Sequence, residues 1–420
     1  MIIAAFRHHV DIRPSVSRFF GTGRPARRAR FFYNMLILLA IITSGCAARQ
    51  PPGYGGWASV PADEARNQAL LFDSADAGTI SPSISHSLGY LDTLPTPQST
   101  GQPGPLPPTP AVLSQSLREL QDILPRLAAE PHLLADRFVW FRVDVLLTGY
   151  YEPLLPASLE PGPGYPFPIY ALPPDLRTLD LGRFNPKWRG EKLTYRLVDD
   201  EVRPYPDRRA IDQGLALAGR GLEIAWAKDA VDVYGLQVQG SGLLALPDGS
   251  TRQALYAGQN GRPYVSLGKV MADRGLIALK DVTWPRLRHI LADNPVMTPE
   301  LLAQNPSYVF FSLGAANPAG GPLGSMGRPL TPLHSVAVDR SIIPLGSLLA
   351  LEGDIPTPDG ATRPFATLAL AQDTGGAIKG ARADLFCGRG PEAEFLAGNL
   401  KHHFIMYMLL SRKALGGAAP

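Results

Sequence analysis

The amino-acid sequence predicts a mainly β protein with a few peripheral helices, and three observations carry that expectation. Glycine and proline each number 42 in 420 residues, an excess that favours many turns and short strands over long helices. The segment 138–147 (FVWFRVDVLL) is apolar and partly alternating, the two-residue period of a strand. From there to about residue 370, short strands and turns dominate, with helical patterns only near 209–225, 267–274, 284–292 and 299–305. With 45% hydrophobic residues the chain can bury a large core, and its length suggests two or three domains.

Taken from the N-terminus, the chain opens with an asymmetry of charge. The net charge is +3, but the first 45 residues hold seven arginines (Arg7, Arg13, Arg18, Arg24, Arg27, Arg28, Arg30) against one acid, Asp11. Removing them leaves 33 basic and 36 acidic residues, a balance of about −3, so a nucleic-acid partner has no electrostatic support. The basic cluster precedes a mostly apolar run, 31–42, shorter than the ~20 residues a membrane span needs, and then small residues. That order is a secretory signal peptide over residues 1–45. Thr43-Ser44-Gly45-Cys46 resembles the lipobox of bacterial lipoproteins, which implies that Cys46 is acylated and anchors the mature chain to outer-membrane lipid. Ala47 after it suits sorting to the outer membrane, on its periplasmic side.

Cys46 and Cys387 are the two cysteines, so acylation of the first leaves no intramolecular disulfide. His402-His403 point to different faces of either a helix or a strand, and His289 and His334 lack partners at ligand spacing, so no metal site is expected. Residues 46–111 read as a tether and Pro-rich linker with helical pieces at 64–76 and 81–91. Leu113, Leu117, Leu120, Ile123, Leu124 and Leu127 mark one helical face over 112–134, with Pro125 as a kink or boundary. The segment 392–410 reads as a last helix leading into a strand.

Several motifs carry candidate chemistry. The stretch 369–388 (ALAQDTGGAIKGARADLFCG) reads as strand, tight turn, strand, with Asp373 and Asp384 flanking a glycine-rich turn that carries Lys379. A carboxylate at such a strand end has its pKa raised by desolvation or a like charge, as a general acid near neutral pH requires. Composition and spacing leave the two aspartates tied. Residues 147–153 (LTGYYEP) bring Thr148, Tyr150 and Tyr151 to a strand end, a grouping of hydroxyls and aromatic planes that suits carbohydrate or equally a buried Tyr-rich turn. Over 236–242 (LQVQGSG), Gln237 and Gln239 alternate with apolar residues as on a strand facing solvent. Asn260-Gly261 reads as a hairpin turn between two tyrosines, with a helix beginning near Ser266. By pattern alone Asp339, after the strand-like 335–338, is a turn-former. An aspartic protease needs a second Asp-Thr/Ser-Gly triplet beside Asp373-Thr374-Gly375, and a serine hydrolase a Gly-x-Ser-x-Gly elbow; neither is present in the chain.

Taken in order, LTGYYEP (147–153), PIYALPPDL (168–176), VQGSG (238–242), YAGQNGRPYVSLGKVMADRG (256–275), NPSYVFF (305–311), AVDRSIIPLGS (337–347) and QDTGGAIKGARADLFCGRGPEA (372–393) resemble the membrane-bound lytic murein transglycosylase A family. The likeness runs over about residues 80–412. It implies a double-psi β-barrel catalytic domain from segments 112–155 and 301–412, with a smaller β-barrel domain, 156–300, inserted and forming the other wall of a groove. It also implies cleavage of the β-1,4 bond between N-acetylmuramic acid and N-acetylglucosamine in peptidoglycan, leaving 1,6-anhydro ends, without metal or organic cofactor. The catalytic aspartate then corresponds to Asp384, while Asp339 and Asp373 complete the three aspartates of the terminal 3D segment. Groove residues on this reading are Thr148, Tyr150, Tyr151, Gln239, Ser241, Tyr264 and Ser266, with Lys379 as an electrostatic contributor. Glycan strands of peptidoglycan are the expected partner, and cell-wall synthases are an open one. A non-catalytic outer-membrane lipoprotein that binds peptidoglycan through the same groove is the alternative.

Overall fold

A computed structural model describes residues 57–72, 77–95, 106–188, 190–316 and 320–416. Residues 1–45, read above as a signal peptide, Cys46 and most of the Pro-rich insert lie outside these residues. Among the described residues sixteen strands follow one another. They are β1 (Ala58–Ser59), β2 (Phe138–Glu152), β3 (Leu154–Ser158), β4 (Phe167–Tyr170), β5 (Arg177–Asp180), β6 (Lys192–Val198), β7 (Glu201–Pro204) and β8 (Glu223–Ala227). Then come β9 (Gly242–Ala245), β10 (Thr251–Gln259), β11 (Val309–Ala315), β12 (Ser335–Val338), β13 (Leu348–Pro356), β14 (Thr362–Asp373), β15 (Arg382–Arg389) and β16 (Lys401–Ser411).

Six of them close into a barrel in the order β2-β15-β12-β14-β13-β16, with β16 returning to β2 along eleven residue pairs from Lys401↔Thr148 to Ser411↔Phe138. The β2–β15 and β12–β14 pairings are parallel and the rest antiparallel. Closure removes the unpaired edges that open sheets must protect. Val145, Leu147, Val336, Leu349, Leu370, Leu385 and Met408 fill the core. The helix Pro110–Ile123 begins where Thr109 accepts the Val112 N–H and Pro110 takes the first turn. It buries Leu113, Leu117, Leu120 and Ile123 and ends at the one-turn 3-10 helix that holds Pro125, so the expected boundary is there. Its Ser116 hydroxyl accepts the N–H of Ser411, tying the helix to β16.

A second six-stranded sheet runs β11-β10-β9-β3-β8-β4, and a parallel bridge from Ala171 to Phe311 joins its two ends. Leu155, Ile169, Leu236, Leu244 and Phe311 form its core. Its strands come from 154–315, a wider span than the 156–300 expected for the inserted domain, because β11 is hydrogen-bonded to β10 and not to the first barrel. The strands β5, β6 and β7 form a separate antiparallel sheet.

Three expectations are corrected. The segment around 236–242 is helical, Ala230–Gln239: Asp229 caps it by accepting the Val231 N–H, and Gly240 at φ +83 stops it. Asn260-Gly261 is no hairpin turn. Asn260 is 1% exposed and donates to the carbonyls of Pro206 and Pro306 while accepting from the N–H groups of Arg262 and Tyr308. It anchors a loop that leads to Tyr264. Of the helix read near 209–225 only Arg208–Asp212 forms, because Leu215, Gly219 and Gly221 adopt positive φ and the chain then enters β8.

Candidate active site

The site is built on the parallel pair β2–β15, whose register sets Leu146 opposite Arg382, Thr148 opposite Asp384 and Tyr150 opposite Phe386. Strand alternation sends Leu147, Ala383 and Leu385, each 0% exposed, into the barrel. Thr148, Tyr150, Arg382, Asp384 and Phe386 therefore share the opposite face. The tight turn between β14 and β15, with Gly380 at φ +65, returns the chain so that Asp373 at the end of β14 stands beside this row. Ala337 on β12 is opposite both Asp373 and Asp384, which confirms that the two aspartates flank one short strand.

Asp384 is half-buried and accepts a 2.7 Å hydrogen bond from the Thr148 hydroxyl. Burial is the largest influence on its carboxyl. The Thr148 bond and the Arg382 charge pull the other way, Asp373 adds to the rise, and the result is a pKa pushed up to about 6. Asp373 is held by more donors. Its Oδ1 accepts from the Ser325 N–H at 2.9 Å, the Ser325 hydroxyl at 2.7 Å and the Thr374 N–H at 2.8 Å, and its Oδ2 from the Tyr150 hydroxyl at 2.9 Å. Burial nevertheless raises its pKa above the ordinary carboxylate range. Four hydrogen bonds hold Asp373, three on Oδ1 and one on Oδ2, whereas the side chain of Asp384 accepts one, from Thr148. The two aspartates, alike by composition and spacing, thus differ in how firmly they are held.

Ser325 reaches Asp373 because Gly324 lets its loop lie on β14: a Cβ at 324 would meet the Gln372 carbonyl oxygen at 2.9 Å and the Leu330 side chain at 2.5 Å. Tyr150 packs its ring on Phe386 with centroids 5.4 Å apart, and burial together with the Asp373 charge drives its hydroxyl pKa well up. Neither Ser325 nor Arg382 stood out in the sequence. Arg382 had a usable signal, since two residues before Asp384 on a strand means the same face.

The remaining expected residues divide. Tyr264 lies on the loop after β10, 40% exposed, and its hydroxyl feels the charges of Arg382 and Asp384, so this loop approaches β15. Ser266 caps the helix Leu267–Asp273 by accepting the Lys269 N–H and also hydrogen-bonds Tyr264. Tyr151 points away from the row: it is 8% exposed, packs with Cys387 and Ala393, and donates to Glu394 at 3.1 Å. Gln239, at the end of its helix, accepts the Tyr151 N–H at 3.0 Å, and Ser241 is buried in the turn that follows. The Gln239 bond ties the helix Ala230–Gln239 to β2.

Asp339 also serves a turn. Its Oδ1 accepts from the Ser341 hydroxyl and N–H, and its Oδ2 from the Gly380 N–H at 3.0 Å. Burial alone would raise its pKa, but these bonds and the charge of exposed Lys379 together hold it below the ordinary value. The charges felt at Asp384 are those of Arg382 and Asp373. Asp339 and Lys379 thus act on the β14–β15 turn that positions Asp384. Among the described residues, no group of three or more His, Cys, Asp and Glu is spaced to hold a metal ion.

Comparison with known proteins gives a consistent picture. The MltA specific insert domain matches residues 146–312 and the 3D domain residues 334–410. A membrane-bound lytic murein transglycosylase A from Vibrio cholerae is 36% identical over 263 residues, which are 62% of this chain and 63% of that protein, just under two thirds of its length. The Escherichia coli protein of the same name is 34% identical over 277 residues, 65% of this chain and 67% of the other. Among solved structures, a membrane-bound lytic murein transglycosylase from Agrobacterium tumefaciens superposes with a TM-score of 0.67 at 31% identity, over 89% of this chain and 98% of that one. E. coli MltA with bound chitohexaose gives 0.65 at 27% identity, over 87% and 98%.

Proposed function

This chain belongs to the membrane-bound lytic murein transglycosylase A family, and from that premise we propose that it is a peptidoglycan lytic transglycosylase. It cleaves the β-1,4 bond between N-acetylmuramic acid and N-acetylglucosamine, forms 1,6-anhydro ends and serves cell-wall turnover. The observation that carries the reading is Asp384, a half-buried carboxyl on an accessible strand face with its pKa pushed up to about 6. Such a group is partly protonated near neutral pH and changes state readily, as one residue acting first as acid and then as base must.

In the first step Asp384 protonates the glycosidic oxygen, the bond to the anomeric carbon breaks, and the N-acetylglucosamine side leaves as an alcohol. Positive charge develops on the muramoyl ring, next to the carboxylate just formed. In the second step the C6 hydroxyl of the same ring attacks the anomeric carbon and gives its proton to Asp384. The acid is regenerated, water is not consumed, and a second nucleophilic carboxylate is not required. Thr148 fixes the Asp384 rotamer and stabilises the carboxylate. Asp373, held by Tyr150, Ser325 and Thr374, raises the proton affinity of Asp384 through its charge. Tyr264 offers a ring and a hydroxyl from the facing loop to the sugar. An acylated Cys46 would hold the protein at the inner face of the outer membrane, within reach of the wall.

Incubation with purified sacculi tests the proposal. Mass spectrometry is expected to find muropeptides lighter by one water than those from a hydrolase. Reducing ends would point to an ordinary hydrolase, and an undigested wall to a binding protein.

A further inference from the structure

Arg382 is the one charged member of the β15 row that the reaction above does not use. Its side chain shares a face with Asp384, and at a strand rise of about 3.3 Å per residue the two Cα atoms are about 7 Å apart. Its Nε is buried without a hydrogen-bond partner, and its guanidinium forms no ion pair among the described residues. Arg208 shows what a structural guanidinium looks like in this protein. At 2% exposure it donates from Nε to the Asn305 carbonyl and from Nη2 to the Ser307 carbonyl at 2.7 Å, and it lies over the rings of Tyr234 and Tyr308. A buried donor without an acceptor is costly and uncommon in native proteins. The Arg382 side chain is half-buried on the reacting face, so the guanidinium beyond Nε is the part open to a substrate acceptor.

We propose that Arg382 is a specificity-determining residue that binds the free lactyl carboxylate of the muramoyl ring at the cleavage point, so that the protein prefers glycan strands already stripped of stem peptides. This rests on the lytic transglycosylase reading. Of the two backbone sugars, N-acetylmuramic acid bears an acid-forming arm, on C3, across the ring from the C1 and C6 atoms on which Asp384 acts. The separation of Arg382 from Asp384 is about the span of a pyranose ring with that substituent. A planar guanidinium fork meets a carboxylate with two parallel hydrogen bonds and opposite charge, whereas an amide offers it one uncharged oxygen. The lactyl carboxylate is free once an amidase has cleaved the bond to the peptide, so an amide hydrolysis supplies this substrate.

The arrangement also couples binding to chemistry. The groups facing Asp384 are Arg382 on its own strand, Asp373 from β14, Tyr150 from β2 and Tyr264 from the loop; the buried thiol of Cys387 also feels its charge, and exposed Lys401 is opposite Thr148 on β16. Arg382 is the cation that holds the Asp384 pKa down. A substrate carboxylate on Arg382 cancels that influence and loads the proton on the acid when substrate is bound.

The test compares two substrates, sacculus-derived glycan strands with stem peptides and the same strands after amidase digestion, with anhydromuropeptide ends as the readout. The wild type is expected to show a kcat/KM at least tenfold higher on the digested strands, carried mainly by KM, with an alkaline limb in kcat that lies above the limb in kcat/KM. In Arg382→Gln the ratio falls to near one and the two limbs coincide; Arg382→Lys, which keeps the charge and loses the fork, falls between. A wild type that does not discriminate overturns the inference without recourse to a variant, as does an Arg382→Gln protein whose ratio equals that of the wild type. A wild type that yields no anhydro ends from either substrate overturns the lytic reading instead.

Discussion

Replacing Asp384 with Asn should stabilise the protein at neutral pH, and the size and pH dependence follow from the carboxyl's surroundings. Asp384 titrates at about 6 in the fold against an ordinary 3.8. The folded state therefore keeps a proton that the unfolded chain releases, so stability falls as pH rises through the window from about 4 to about 6 and is flat above it. Two pKa units correspond to about 3 kcal/mol, and water contact on this half-buried group reduces that to roughly 1–3 kcal/mol. Asn removes the charge, keeps the shape and still accepts the Thr148 hydroxyl through Oδ1. Urea unfolding of both proteins at pH 4, 5.5 and 7.5 at fixed ionic strength is the assay. The gap should be near zero at pH 4 and open to roughly 1–3 kcal/mol in favour of the variant at pH 7.5. A variant of equal or lower stability at pH 7.5 would refute the claim that burial strains this carboxylate.

Asp339→Asn should behave in the opposite sense, since the folded pKa of Asp339 is depressed. Its loss costs stability above the ordinary carboxylate range, near 4, and the deficit fades as pH falls through it, which the same titration would show. Thr148→Val removes the hydroxyl that stabilises the Asp384 carboxylate; at about 1.5–3 kcal/mol for a charged hydrogen bond, the alkaline limb of kcat/KM should move up by about one unit or more. Gly149→Ala places a Cβ 2.9 Å from both the Cys387 sulfur and the Ala397 Cα, and overpacking of that kind costs about 1–3 kcal/mol. Adding Cys387→Ala should recover part of the thermal stability, because the sulfur can be removed and the Ala397 backbone cannot.

The parts of this molecule that were legible in the sequence are those in which one local period dominates. Residues 138–147 alternate and become β2, Leu113 to Ile123 keep a helical face, and the glycine-rich turn after Asp373 separates two strands as its composition implies. The helix Ala230–Gln239 was obscured because Gln237 and Gln239 alternate with Leu236 and Val238 over four residues. Its real markers lay at the ends, in the capping Asp229 and the left-handed Gly240. Asn260 looked like a turn residue because its role is to accept and donate to four backbone groups 46 to 54 residues away as well as nearby, which no local pattern reports. The pairing of Thr148 with Asp384 spans 236 residues and depends on the parallel register of β2 and β15. The family resemblance pointed to Asp384, and the four hydrogen bonds that hold Asp373 support the proposal that Asp384 moves the proton.

The central claim is that Asp384 alone carries the proton in both steps. The direct measurement is the yield of 1,6-anhydromuropeptides from purified sacculi, by mass spectrometry, for wild-type and Asp384→Asn protein matched for folded concentration. The wild type should release them and the variant, though at least as stable, should release none above background; anhydro products from the variant at a rate near that of the wild type would contradict the account.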